Sequence, residues 1–351
     1  MNKHFSSKII DWYLIHKRNL PWRESKDPYT IWLSEIILQQ TRVAQGLPYF
    51  NKFIDKYPTV EAFSSAEEDE ILKMWQGLGY YSRARNMMAC AKTIIAEYDG
   101  NFPTSYDELL KLKGIGRYTA AAIASFSFDE AVPVVDGNVF RVLSRIFGLV
   151  DDISDSKSYL VFFNRAQELM GESSPSLFNQ SIMEFGALHC TPKNYDCEPC
   201  VFSNSCFAKQ NEMQNDLPVK SKKIKKRKRF FYYFIIKHKD SLLIKKRSSG
   251  DIWNGLYDFL LIEKKATTDE KSIIKENELL SKFEISSSNK EYKHILTHQT
   301  IFARFYQIDV KSKDDFEVIK NAFSLISIES DSISNYPISK LIDNFLNNDY
   351  F

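Results

Sequence analysis

The sequence predicts a multidomain chain: an all-α first domain built on a helix-hairpin-helix and ending in a four-cysteine loop, then an α+β second domain. Three observations carry this. Residues 112–145, LKGIGRYTAAAIASFSFDEAVPVVDGNVFRVLSR, read as a helix, a tight Gly114-Ile115-Gly116 turn, a second helix and a third that opens at Asp136. Four of the five cysteines fall between positions 190 and 206. Beyond the run KSKKIKKRKR at 220–229 the texture changes from helical to β-rich.

A chain of 351 residues exceeds one comfortable core, so two domains are expected. With 44% hydrophobic and 14% aromatic residues it has ample material for packed interiors. No stretch reaches the unbroken apolar length of a membrane span. The N-terminus carries Asp11 and Lys17 inside an amphipathic pattern, unlike a signal peptide. The expectation is an intracellular, cytoplasmic protein with no membrane contact and no evident dimerisation element, hence a monomer. A net charge of +2 leaves attraction to nucleic acid to local patches.

The elements follow in order. Residues 5–16 place Phe5, Ile9, Trp12 and Tyr13 on one side of a helix, and Leu20-Pro21-Trp22 turns the chain. Asp27 and Pro28 supply an N-cap and an N1 proline for a helix from Tyr29 to about Thr41. Ile31, Trp32, Leu33, Ile36, Ile37 and Leu38 make it apolar nearly all round, the mark of a buried helix, yet Glu35 sits in its middle. A buried carboxylate requires a cationic or backbone partner, a raised pKa or a chemical task. Helices continue from Asn51 to Tyr98, broken by the glycine turn Gly77-Leu78-Gly79-Tyr80-Tyr81, with Arg83 and Arg85 beside it. Tyrosines there either pack in a core or stack on bases.

Ser105 and Glu108 have capping-box spacing ahead of the hairpin, and the small run Thr119 to Ala122 lets two helices approach. Gly114 and Gly116 let the turn present bare backbone N–H groups at a helix N-terminus, a phosphate grip that reads no sequence. The same turn also serves as an ordinary connection. Asp136 precedes a helix with Val139, Val142, Leu143 and Ile146 on one face and Gly148 as its stop. It is an N-cap, held ionised by the helix dipole.

Helical pattern resumes from Lys157 to Ala187 and leads into Cys190, Cys197, Cys200 and Cys206, spaced Cys-x6-Cys-x2-Cys-x5-Cys. Intracellular cysteines at that density point to a metal, and four thiolates hold either zinc or an iron-sulfur cluster. Only one pair is close-set, against a zinc ribbon. Cys90, alone in a helical pattern, is expected in the core. The basic run 220–229 reads as a solvated tether able to touch DNA phosphates. Strands are expected at Phe230–Lys237, Ser241–Lys246 and Tyr257–Ile262, and one more helix within Ser334–Phe351.

SEIILQQTRV around Glu35, GLGYYSRARN, LKGIGRYTA, VDGNVFRV and the cysteine spacing occur in one order. Together they resemble the endonuclease III superfamily of base-excision DNA glycosylases, and within it the MutY family of adenine glycosylases, densely over about residues 5–210 and more loosely beyond. The resemblance implies domains at 1–212 and 230–351 joined by a basic linker at 213–229. The first is a helix-hairpin-helix glycosylase with a four-iron four-sulfur (4Fe-4S) cluster on the four cysteines. The second is a Nudix-like domain that recognises 8-oxoguanine.

The implied activity is removal of adenine mispaired with 8-oxoguanine or guanine in double-stranded DNA. Environment alone suits Glu35, in an apolar setting, to general acid and Asp136, at a helix tip, to a charged stabiliser of the sugar cation. The likeness assigns the same roles and adds Tyr118, Asn138 and Glu184 as their supports. Arg18, Leu20, Trp22 and Leu38 would wall the base pocket, while Gln40 and Tyr80 would enter the duplex as adenine swings out. Strand-cutting relatives carry a lysine two residues after the second hairpin glycine; Tyr118 stands here and Phe140 offers no amine, so a glycosylase without lyase activity is implied.

In the second domain IKKRSSGDIWNGLYDF matches the family, and the acidic Nudix box is not seen. Where the family usually has Phe-Ser-His, this chain has Leu296-Thr297-His298, preceded by His294. Thr297 keeps a hydroxyl for the oxidised base, with His298 beside it. Two alternatives are a glycosylase for oxidised pyrimidines and a non-catalytic damage sensor; Tyr118 disfavours the first, and the Glu35–Asp136 pair the second.

Overall fold

In a computed structural model, residues 2–221, 226–287 and 290–350 are described. The helices are α1 (Asn2–His16), α2 (Pro28–Leu38), α3 (Val43–Lys56), α4 (Val60–Ser64), α5 (Glu68–Met74), α6 (Ser82–Tyr98), α7 (Tyr106–Leu109), α8 (Arg117–Phe128), α9 (Gly137–Phe147), α10 (Ser158–Met170), α11 (Pro175–Leu188) and α12 (Phe207–Gln210). Next come β1 (Arg227–His238), β2 (Ser241–Lys246), β3 (Tyr257–Asp258), β4 (Leu260–Lys264), α13 (Glu270–Lys275), β5 (Ile285–Ser287), β6 (Tyr292–Ile295), β7 (Gln299–Asp309), α14 (Lys313–Ala322), β8 (Ile326–Glu329) and α15 (Lys340–Phe345). Among the described residues no helix is long and apolar enough to cross a membrane.

The chain divides into two units, residues 1–65 with 86–222 and residues 66–85 with 223–351. The division at 222/223 falls within the linker expected at 213–229, and the units depart from the expected 1–212 and 230–351 in that Ala66–Arg85 groups with the C-terminal half. The cause is polar and local to that unit: Asp69 accepts from Lys246 Nζ at 2.6 Å and from the Tyr257 hydroxyl at 2.8 Å. Arg85 donates to the Asn254 carbonyl at 2.5 Å.

The first unit is all helical. Asp27 caps α2 by accepting from the Thr30 amide at 2.8 Å, and Ile31, Trp32, Leu33, Ile36 and Ile37 are buried, as their all-round apolar pattern requires. The helix stops at Leu38, short of the expected Thr41, and Gln40 takes a left-handed backbone (φ 54°). α2 packs on α8, whose Ala120, Ala121 and Ala122 are fully buried and allow close approach. A second core gathers α1, α9, α10 and α11, with Phe202 and Cys206 of the cysteine loop inside it. Cys90 is buried, as expected.

The second unit is a mixed sheet with helices on both faces. β1 runs parallel to β7 from Arg227↔Gln299 to Lys237↔Asp309 and antiparallel to β2 and β4. Its FFYYFII run is apolar on both sides because both sides are covered. Phe231, Tyr233 and Ile235 pack with α15, whereas Tyr232, Phe234 and Ile236 pack with α14. β1 starts three residues before the expected Phe230, inside the basic run. Arg229 is tolerated there at 4% exposure because Asp251 and Glu263 both pair with it, at 2.6 and 2.5 Å. Residues 222–225 of the expected tether lie outside the described residues. The strand expected from Tyr257 to Ile262 breaks at Phe259 into β3 and β4.

Candidate active site

A cavity of about 730 Å³ opens in the helical unit, and Arg18, Leu20, Trp22, Glu35, Leu38, Tyr118, Asp136, Asn138 and Glu184 all line it. The expected site residues therefore come from five separate segments. α2 supplies Glu35, because an all-apolar helix carries its one acid inside with it. The burial of that acid pushes its carboxyl up to about 7, against a hydrogen bond from the Tyr118 hydroxyl that pulls down, with Asp136 raising it further and Arg23 lowering it.

Asp136 caps α9 as its position implied, accepting from the Asn138 and Val139 amides at 2.9 and 2.8 Å. The Asn138 side-chain amide donates to its other oxygen at 2.8 Å. Burial raises the Asp136 carboxyl and these three donors, with Arg141, oppose the rise. Its pKa thus moves in the direction opposite to that of an exposed cap. The two carboxylates differ in what surrounds them: Asp136 is saturated with donors, Glu35 is held mainly by a phenol.

Glu184 touches neither carboxylate. It accepts from the Arg18 amide and Nε at 2.9 Å and from Arg18 Nη2 at 2.6 Å, and from Arg23 at 2.9 and 2.7 Å. Burial works to raise its pKa, but the two guanidiniums hold it down to about 2. Arg23 is absent from the sequence-derived site. A buried acid inside apolar α11 demanded a cation, and Arg18 and Arg23 flank the Leu20-Pro21-Trp22 turn that brings them in. Arg141 was also missed: it donates to Asn138 Oδ1 at 2.8 Å, to the Gly186 carbonyl at 2.7 Å and to the Cys190 carbonyl at 2.8 Å. Gly186 lets α11 lie against Asn138, since a Cβ there would stand 2.7 Å from Asn138 Cβ.

Other expected residues lie apart from this cavity. Gln40 is exposed in the turn after α2. Gly114 has φ +83° with Asn86 packed against it, whereas Gly116 has ordinary backbone and open space and caps α8. Tyr80 and Tyr81 split: Tyr81 is buried and Tyr80 is 44% exposed. In the C-terminal unit Tyr80, Thr297 and His298 line a second cavity of about 390 Å³, and the Tyr80 and Thr297 hydroxyls are hydrogen-bonded.

The four cysteines line one small cavity of the helical unit, together with Arg145 and His189. Among the described residues no three His, Cys, Asp or Glu side chains converge as ligands of a single ion. Burial pushes Cys200 up to about 11 and raises Cys190 and Cys206, so a cationic group would have to offset the charge of four thiolates. The ring nitrogen Nε2 of His189 is buried without a hydrogen-bond partner. Arg145 supplies positive charge, with Nη1 at 3.6 Å from Cys190 Sγ. Thiolate donors spaced around a cavity fit a multi-atom metal group.

Residues 33–162 match the HhH-GPD superfamily of base excision DNA repair proteins, and residues 231–348 match the NUDIX domain. The chain is similar to the adenine DNA glycosylase of Buchnera aphidicola subsp. Schizaphis graminum (strain Sg), at 37% identity over 267 residues, 76% of this chain and 77% of the relative. To that of Buchnera aphidicola subsp. Baizongia pistaciae (strain Bp) it is 33% identical over 310 residues, 85% and 84% of the two chains. Among solved structures, a thermostable thymine-DNA glycosylase superposes with a TM-score of 0.55 at 30% identity, over 60% of this chain and 97% of that one.

Proposed function

The chain belongs to the adenine DNA glycosylase family of base excision repair, and from that premise we propose that it hydrolyses adenine from A:8-oxoguanine and A:guanine mispairs, as a monomer on double-stranded DNA. The observation that carries the chemistry is one cavity holding a buried and a half-buried carboxyl in unlike surroundings. Glu35, neutral on the acid side of about 7, gives its proton to a ring nitrogen of the extruded adenine as the glycosidic bond breaks and the bonding pair leaves with the base. Asp136, fixed by three donors, stays charged and stabilises the sugar cation. Glu35, now a carboxylate, takes a proton from the water that adds to the sugar.

Tyr118 and Asn138 hold these carboxyls in place, and Glu184 acts one step removed by fixing Arg18 and Arg23 on the rim. Leu20, Trp22 and Leu38 form the apolar wall for the base. Gln40 and Tyr80 enter the duplex, and the Gly114–Gly116 turn grips a phosphate. With a phenol at 118 and Phe140 in α9, neither position carries the amine by which strand-cutting relatives act.

Cys190, Cys197, Cys200 and Cys206 would hold a four-iron four-sulfur cluster, since all four line one cavity without three of them converging on a single ion. When bound, such a cluster cross-links the loop. In the Nudix-like unit Thr297 and His298 meet 8-oxoguanine. The test is incubation with duplexes carrying adenine opposite 8-oxoguanine, guanine or thymine, followed by alkaline cleavage. Release opposite the first two, with no strand cutting before alkali and no borohydride-trapped adduct, is expected. Efficient nicking through a trapped Schiff base would contradict it.

A further inference from the structure

The second cavity holds a residue that the sequence did not single out. Trp253 lines it together with Tyr80, Arg85, Leu296, Thr297 and His298. Its backbone is left-handed, φ 59°, a conformation that bulky side chains rarely adopt and that persists only where its surroundings enforce it. The enforcement is visible. Around Trp253 the Gly255 amide donates to the Arg247 carbonyl at 2.9 Å, and the Arg247 amide to the Leu256 carbonyl at 2.8 Å. Arg247 Nε donates to the Ile252 carbonyl at 2.9 Å, and Arg85 reaches the Asn254 carbonyl at 2.5 Å.

A loop held so closely in an unfavourable backbone state is presenting something. What it presents is a half-buried indole, edge-on to His294 at 5.6 Å and to Phe231 at 6.3 Å, with its remaining surface at the cavity. Across that cavity Thr297 offers a hydroxyl, already hydrogen-bonded to Tyr80. Leu296 in the same loop is aliphatic and gives a base no flat surface. Indole provides one, and aromatic faces hold bases irrespective of their identity.

We infer that Trp253 is a specificity-determining residue, the flat wall against which the base opposite the target adenine packs so that its polar edge meets Thr297. This rests on the proposed reading of the second cavity. The indole does not itself distinguish an oxidised purine from guanine. It fixes the plane of the base, and the Thr297 hydroxyl then reads the edge where oxidation adds a donor and a carbonyl.

The test compares wild type, Trp253→Phe and Trp253→Leu for single-turnover adenine release opposite 8-oxoguanine and opposite guanine. Trp253→Leu is expected to lose about tenfold of the preference for 8-oxoguanine, read as the ratio of the two rates, and Trp253→Phe to retain most of it. Undiminished preference in Trp253→Leu overturns the inference. Should Trp253→Leu not fold, fluorescence keeps it testable: the emission lost in wild type but not in Trp253→Phe, on binding an 8-oxoguanine duplex with a carbocyclic adenosine that resists hydrolysis, is the indole contacting the base. No such difference overturns it too. A wild type without any preference removes the underlying reading, and this inference with it.

Discussion

The Tyr118 hydroxyl donates to Glu35 Oε2 inside the first cavity, and the half-buried Tyr118 has its pKa raised well above the ordinary phenol value, first by desolvation of the hydroxyl and then by Glu35 and Asp136. It is therefore a donor at every working pH. A donor favours the charged carboxylate and pulls Glu35 down toward the about 7 at which it rests. In the proposed mechanism adenine release requires protonated Glu35, so the single-turnover rate should fall as pH rises through that value. Tyr118→Phe removes the donor, lets the carboxyl rise further and moves this limb to higher pH. A limb unmoved in Tyr118→Phe would show that Glu35 is not the titrating acid.

Glu35 also makes folding depend on pH. Its folded value, about 7, lies above the ordinary 4.5, so its favourable contribution is fully present below 4.5 and is lost as pH rises through 7. Glu35→Gln lacks that loss. Relative to wild type it should gain nothing at pH 4 and about 3 kcal/mol above pH 8, read by urea unfolding at the two pH values. Adenine release should drop at least a hundredfold in the same protein.

Glu184 has the opposite sign. Held down to about 2 by Arg18 and Arg23, with burial opposing, it stabilises the fold above 4.5 and loses that stabilisation as pH falls through 2. Glu184→Gln leaves two guanidiniums on the cavity rim with no carboxylate and should cost about 3 kcal/mol at pH 7, less in acid. Denaturation curves at pH 7 and pH 3 check both halves.

How far the sequence discloses this site depends on whether a residue's role is local. Asp136 as an N-cap and Glu35 as the acid inside an apolar helix are both local facts, since cap spacing and apolar periodicity act over one or two turns. Arg23 and Arg141 are not: beside near neighbours, each is fixed by partners far along the chain, Glu184 at 161 residues and Gly186 and Cys190 at 45 or more. Arg229 gives the same lesson in the sheet. In sequence it belongs to a basic run and looks solvated, but Asp251 and Glu263 neutralise it inside a strand. The transfer of Ala66–Arg85 to the C-terminal unit turns on Asp69 meeting Lys246 and Tyr257, again without local signature.

The cysteine loop can be tested without activity. Cys206 and Phe202 sit inside the helical core, and Arg145 ties the loop through the Thr191 carbonyl at 2.7 Å. On the proposed cluster, the protein should show a brown visible absorption that Cys200→Ser, or removal of iron by a chelator after oxidation, abolishes while opening residues 190–206 to limited proteolysis. Zinc recovered in place of iron and sulfide would refute the cluster.

The two hairpin glycines are alike in sequence and unlike in structure. Gly114 lies at φ +83°, where an L side chain is strained, and an added Cβ would stand 2.7 Å from Asn86 Cβ, an atom next to the backbone that has little room to yield. Gly116 has φ −95° and nothing within 4 Å of an added Cβ. Gly114→Ala should therefore combine left-handed strain with a steric shift of α6 and cost about 2 kcal/mol or more. Gly116→Ala has only the N-cap preference to overcome, below about 1 kcal/mol. If the turn grips phosphate through backbone amides, Gly114→Ala should also weaken binding to undamaged duplex across all sequences, because it moves the amides themselves. Gly116→Ala should bind nearly as wild type. Equal losses of stability in the two variants would mean that the glycines serve the turn through composition and not through the conformation of residue 114.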